Sequence, residues 1–434
     1  MISSCRWLAH GIGGRTDLPL PPELVLQAGG FVVLVSFLAV GLLWRQPRFQ
    51  AYAPGVALPT VIQRLANSAG ARMAVRGLAL ALLTYLLVLA FTGPGDPNLN
   101  PVPRALYVLA WVGMVPASLL LGPVWRMFNP LRALHAGLCT VLRVPAGGWR
   151  RPPDVCGYWP AAAGLAVFVW LELVPADRAD PPVDGVFLLS YAVVVTAAAV
   201  CFGAAWFDRG DPFEVYSSLI ASLAPIGRRP DGVVVLRNPL RGLAAVPAGP
   251  GLVAVLVVWW GSTVFDGISG TTWWATVTQR VTRALPVSVP LLASAVLVAL
   301  IALVAVSYRL ATGRLAGTLV SSLVPIAVGY TLAHYASLLI VEGPRGVAQL
   351  VDAQLSPISP VPLVVAMIQV SAILVGHVVA VVAAHDRVVG LDGGNSGGCD
   401  ASERVASRRL AEQVPLVLLM VVYTMIGLYL LVIA

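Results

Sequence analysis

Four residues able to do acid–base or metal chemistry stand in or at the ends of long apolar runs. They are Glu172 in Val169-Trp170-Leu171-Glu172-Leu173, Asp266 in Val264-Phe265-Asp266-Gly267, His334 in Ala333-His334-Tyr335, and His377 in Gly376-His377-Val378. An ionised group at mid-bilayer costs at least about 2.5–3.5 kcal/mol, so it needs a partner or a task there. Two carboxylates and an imidazole suit zinc or a similar divalent metal. His10, in a Gly-rich N-terminal tail, is a further candidate ligand. A metal held by His10, Glu172, Asp266 and His334 would polarise a phosphoryl oxygen and supply hydroxide. Without metal, the same groups are proton carriers. Plainer roles compete: a carboxylate near a span end is reached by water, and His334 can hydrogen-bond a neighbouring helix.

A second constellation is Gln369, His377 and His385, spaced every eight residues. Eight residues advance a helix by about 12 Å and turn it by about 80°, so the three trace a spiral rather than one metal-binding face. They suit a proton path. His334 with His377 offers a third chemistry, as axial ligands of haem or copper. His135 falls on the polar side of an amphipathic segment and reads as solvated. His385-Asp386-Arg387 reads as a helix-end charge cluster. Phosphate-loop, nucleophile-elbow and His-Glu-x-x-His patterns are absent from the sequence.

The elements that position these residues are membrane spans. The chain has 434 residues, 58% apolar and only 11% charged, against roughly 25% charged in soluble domains. The apolar residues gather in runs of bilayer length: 24–44, 75–92, 105–123, 158–174, 185–206, 251–265, 287–308, 317–341, 361–384 and 414–433. The expected fold is an all-α polytopic bundle of about ten transmembrane helices, with an exterior tail at 1–23 and one membrane domain at 24–434. The tail lacks the apolar core of a signal peptide. All 28 basic residues are Arg. Alternate loops hold 21 of them against 7 on the other side, which predicts a plasma-membrane protein with both termini outside. The charge sits in short loops, so nucleic acid is not an expected partner; the bilayer is. The five scattered cysteines form no CxxC pair and predict neither a disulfide framework nor a zinc site.

Two loops share a pattern: Trp125 then Asn129-Pro130-Leu131, and Trp206 then Asp211-Pro212-Phe213. In each, Asn or Asp caps a helix opened by Pro. Residues 130–143 and 212–226 are expected to lie flat on the inner leaflet, apolar side down. Each leads to a span ending in an acid, Glu172 or Asp266. A fainter copy pairs 222–226 with 322–326, before the span of His334. Hairpin repeats at 105–174, 185–266 and 287–341 would give Glu172, Asp266 and His334 related places, as internal repeats do in transporters. The Trp pairs 259/260 and 273/274 fit an outer aromatic belt.

At Ala9-His10-Gly11-Ile12-Gly13-Gly14-Arg15, Phe168 to Leu173, Gly261 to Gly267, Ala333-His334-Tyr335, Gly376-His377 and Ala384-His385-Asp386, the chain resembles the actinobacterial multi-pass membrane proteins called fenitrothion hydrolases. The resemblance extends over most of the chain. It implies a membrane-embedded hydrolase of small apolar, organophosphate-like esters and carries over no site residue. Three readings therefore stand: a metal-assisted hydrolase using Glu172, Asp266 and His334; a proton-coupled transporter; and a haem or copper protein.

Overall fold

The computed structural model describes residues 22–44, 46–49, 55–145, 147–353, 355–356, 358–391 and 399–433. His10 and the rest of the N-terminal tail lie outside the described residues. Within them, nine stretches are long and apolar enough to cross a membrane. They include α1 (Pro22–Leu43) and α2 (Ala69–Thr92). A π-helical segment, Arg104–Val112, runs into α3 (Met114–Leu121), and α4 (Pro130–Leu142), α5 (Trp159–Leu173), α6 (Pro181–Phe202) and α7 (Pro212–Ala221) follow. Then come α8 (Leu252–Ser269), α9 (Thr272–Ala284), α10 (Val289–Thr312), α11 (Leu323–Gln349), α12 (Pro362–Leu391) and α13 (Cys399–Ile433). Helices α10 and α11 fall in one apolar stretch, Val289–Gln349, broken by short helical turns at 313–322.

The repeated cap motif folds as its residues dictate. Asn129 Oδ1 accepts the Leu131 N–H at 3.0 Å, and Asp211 Oδ1 accepts those of Phe213 and Glu214 at 3.0 and 3.3 Å. The two caps also meet: Asn129 Nδ2 donates to Asp211 Oδ2 at 2.8 Å and to Glu214 Oε2 at 2.9 Å. The four residues Asn129-Pro130-Leu131-Arg132 recur as Asn238-Pro239-Leu240-Arg241, where Asn238 caps Leu240 at 2.9 Å. The pair 222–226 and 322–326 folds differently: one runs into strand β2 (Ile226–Arg228), the other into α11.

The helix after the second cap departs from the expected lipid-facing pose. Helix α7 is enclosed by protein: Phe213, Glu214, Tyr216, Ser217 and Ile220 are all buried, and it packs against α3, α5 and α11. Glu214 and Ser217 on its polar face find partners inside the bundle, in Asn129, Arg132 and Ser118. Helix α4 buries Leu131, His135 and Cys139 against α2 and α6, and leaves Val141 78% exposed. His135 is therefore not solvated. Trp259 and Trp260 are buried, with Trp259 Nε1 donating to Thr331 Oγ1 at 2.9 Å, so this pair is core rather than belt; Trp273 is exposed.

Strands β1 (Val56–Ala57), β2 and β3 (Val234–Leu236) form an antiparallel sheet in the order β1-β3-β2. It joins two Arg-rich loops. Gln63 fastens it, donating to Val234 O at 2.6 Å and accepting from Val234 N at 2.9 Å. Among the described cysteines, Cys139, Cys156 and Cys201 are free thiols.

Helices α11 and α12 cross at Gly329 and Gly376. A Cβ at Gly329 would lie 2.4 Å from Ala372 O, and one at Gly376 2.6 Å from Pro325 O. Only glycine permits that approach, which is how small residues bring membrane helices together.

Candidate functional site

Glu172 is the penultimate residue of α5, and Asp266 lies in the last turn of α8. His334 and Tyr335 sit in the middle of α11. Helix α8 packs against both α5 and α11, which brings the three elements to one place. The π-helical segment packs on α11 from the other side. Its wider winding shows in the Gly113 N–H, which reaches Val108 O, five residues back, at 2.8 Å. Such windings are rare and often mark functional sites. Here it aims Tyr107 and Trp111 at the same point: both rings touch Phe168, and Trp111 stacks on Tyr216 with ring centroids 4.3 Å apart.

Asp266 Oδ2 accepts from Tyr335 OH at 2.7 Å and lies 2.8 Å from His334 Nε2. Tyr335 OH is also 3.3 Å from Glu172 Oε1. A phenol has one proton, so it cannot donate to both carboxylates. With the shorter bond made to Asp266, the contact to Glu172 is a hydrogen bond only when Glu172 carries a proton and donates it to the Tyr335 oxygen. The arrangement is thus a chain of four groups: Glu172, Tyr335, Asp266, His334. Two spare donors stand near it. Trp111 Nε1 and Tyr216 OH are buried with no hydrogen-bond partner among the described residues. Burial pushes the Tyr216 phenol well above its usual range, so it stays protonated.

A cavity of about 20 Å³ opens among Tyr107, Glu172, Arg178, Asp266, Tyr335 and Leu338. That is room for about one water, far below the roughly 300–1,000 Å³ of sites that enclose organic ligands. Arg178 lines it, yet forms no ion pair among the described residues. On the far side, Tyr107 OH lies 2.8 Å from both Asp184 Oδ1 and the Arg178 carbonyl. Asp184 is fully buried, and its Oδ2 has no hydrogen-bond partner among the described residues. Asp184 is thus an interior acid.

The structure brings Glu172, Asp266 and His334 together, as their placement in the sequence predicts. Among the described residues, which do not include His10, no group of three or more His, Cys, Asp or Glu side chains could hold a metal. Asp266 Oδ2 and His334 Nε2 face each other at 2.8 Å. Gln369, His377 and His385 remain apart in role. His377 is buried, with Nδ1 2.8 Å from Ile373 O and Nε2 unpartnered among the described residues. His385 lies 3.0 Å from both Gln413 Oε1 and Trp44 O. Asp386 accepts from the Trp44 indole at 3.1 Å and the Arg48 and Phe49 N–H groups at 2.7 and 3.2 Å, tying the end of α1 to α12.

Tyr335, Tyr107 and Asp184 were not evident from the sequence as site residues. A tyrosine inside a span attracts no notice by type, although Tyr335 follows His334 directly. No family model, curated protein or solved structure matches this chain.

Proposed function

We propose that this chain is a ten-span plasma-membrane protein with both termini outside, and that it is a proton-coupled carrier. The observation that carries the reading is the Glu172–Tyr335–Asp266–His334 chain beside a cavity the size of one water. A hydroxyl shared between two acids can pass a proton from one to the other without moving the backbone. Intramembrane acids joined to a histidine are the usual material of proton relays. Tyr107 and Asp184 extend the chain across the cavity, so a proton has an acceptor on either side of it. The small cavity also weighs against the hydrolase reading, since an organophosphate ester does not fit there. The Arg asymmetry, the cytoplasmic sheet it implies, and the split of Val289–Gln349 into two helices support the topology.

The test is infrared spectroscopy of the purified protein. A protonated-carboxyl band is expected at neutral pH, lost in Glu172→Gln and shifted in Tyr335→Phe. If no such band depends on Glu172, the relay is wrong. Stoichiometric bound metal that disappears in His334→Ala, together with cleavage of a phosphotriester, would instead establish the metal-assisted hydrolase.

A further inference from the structure

A second cavity, of about 430 Å³, lies where α2, α4 and the turn after α6 meet. Arg76, Arg132, His135, Cys139, Thr140 and Phe207 line it. We propose that it binds the phosphate-bearing headgroup of an anionic phospholipid of the inner leaflet. The leaflet follows from the topology above; the binding chemistry does not depend on the proton relay.

Volume comes first: the cavity is of the size that encloses organic ligands. Charge comes second, and the two arginines differ. Arg132 is already committed. Its Nε donates to Glu214 Oε2 at 2.8 Å, its Nη2 to Asp208 Oδ1 at 2.8 Å and to Glu214 Oε1, and its guanidinium lies over the Phe207 ring at 4.8 Å. Arg76 forms no ion pair among the described residues. Its Nη2 donates to the Arg126 carbonyl at 3.1 Å, and its Nε is buried with no hydrogen-bond partner among the described residues. A guanidinium is a planar fork of donors that matches a phosphate. One with a donor buried and unmatched, beside a second arginine, gains from an anion. Burial holds His135 below its ordinary pKa, against the Ala199 carbonyl. At neutral pH the cavity's positive charge therefore comes from arginine alone.

The walls favour a lipid over a free anion. Ala136, Cys139 and Val144 make an apolar rim. The same helices carry Met73, Val141 and Leu142, which are 52%, 78% and 56% exposed, and which acyl chains would cover. Basic pockets between helices on the cytoplasmic side are the usual setting for anionic headgroups.

The experiment is thermal unfolding of the purified full chain in a neutral detergent. Three additions are compared: phosphatidylglycerol, phosphatidylcholine and inorganic phosphate. Phosphatidylglycerol should raise Tm by a few degrees, because a ligand of the native state stabilises it by mass action; the other two should not. Arg76→Gln should lose the shift. Ala136→Phe, which fills the cavity and leaves the arginines in place, should lose it too and decides the matter if Arg76→Gln does not fold. An equal shift from phosphatidylcholine, a full shift from phosphate alone, or an unaltered shift in Ala136→Phe overturns the assignment.

Discussion

Two acidic clusters, inner and outer on the proposed topology, are built differently. In the inner one, Asp211 and Glu214 receive donors from Asn129, Tyr191, Arg132 and the backbone N–H groups that Asp211 caps. Arg126 adds a second cation at 3.9 Å from Glu214. In the outer one, Glu172 and Asp266 share the hydroxyl of Tyr335, and Asp266 meets His334. No arginine pairs with either acid among the described residues. Abundant fixed donors hold a carboxylate in one position, which suits a joint between helices. A shared proton allows two states, which suits a relay. The presence of a buried acid does not separate structure from function; the number and kind of its donors does.

The largest effects are expected at the outer site. Glu172→Gln and Asp266→Asn should abolish proton-driven uptake in vesicles while leaving the helical circular dichroism intact. Loss of the fold instead would make this cluster structural like the inner one. The inner cluster should show the reverse. Arg132→Ala leaves Glu214 buried beside Asp211, and breaking a buried pair in this way costs about 3–5 kcal/mol. A Tm within a degree of wild type would show that the inner ion pair does not hold the helices.

Smaller effects sharpen the contrast. Tyr335→Phe removes one hydroxyl and leaves both outer acids without it, a cost of about 1–3 kcal/mol. Proton transfer should slow and Tm fall modestly; an unchanged rate would place the proton's route elsewhere. The smallest effect concerns Asp211. Burial, then Glu214, raise it to about 6, against the pull of Tyr191 and Asn129. Its folded pKa stands above the ordinary 3.8. Its contribution to stability is therefore full below the ordinary value and lost as pH rises through about 6. Melting curves taken on either side of that pH should differ more in wild type than in Asp211→Asn.

The sequence by itself determined that this chain is a helical membrane protein, because apolar runs of bilayer length leave the backbone no other way to satisfy its hydrogen bonds. It also located the caps at Asn129 and Asp211, which depend on local geometry alone, and it singled out Glu172, Asp266 and His334 by their cost in a bilayer. Tertiary structure decided what surrounds them. Helix α7 looked like a surface helix because it is amphipathic, yet its polar face meets Asn129, Arg132 and Ser118 inside the protein. Amphipathicity reports that a helix has two environments, and only packing says whether the polar one is water. Tyr335 and Tyr107 became site residues for the same reason. A phenol's role depends on which oxygen lies about 3 Å from it, and that distance is set by helices far apart in sequence.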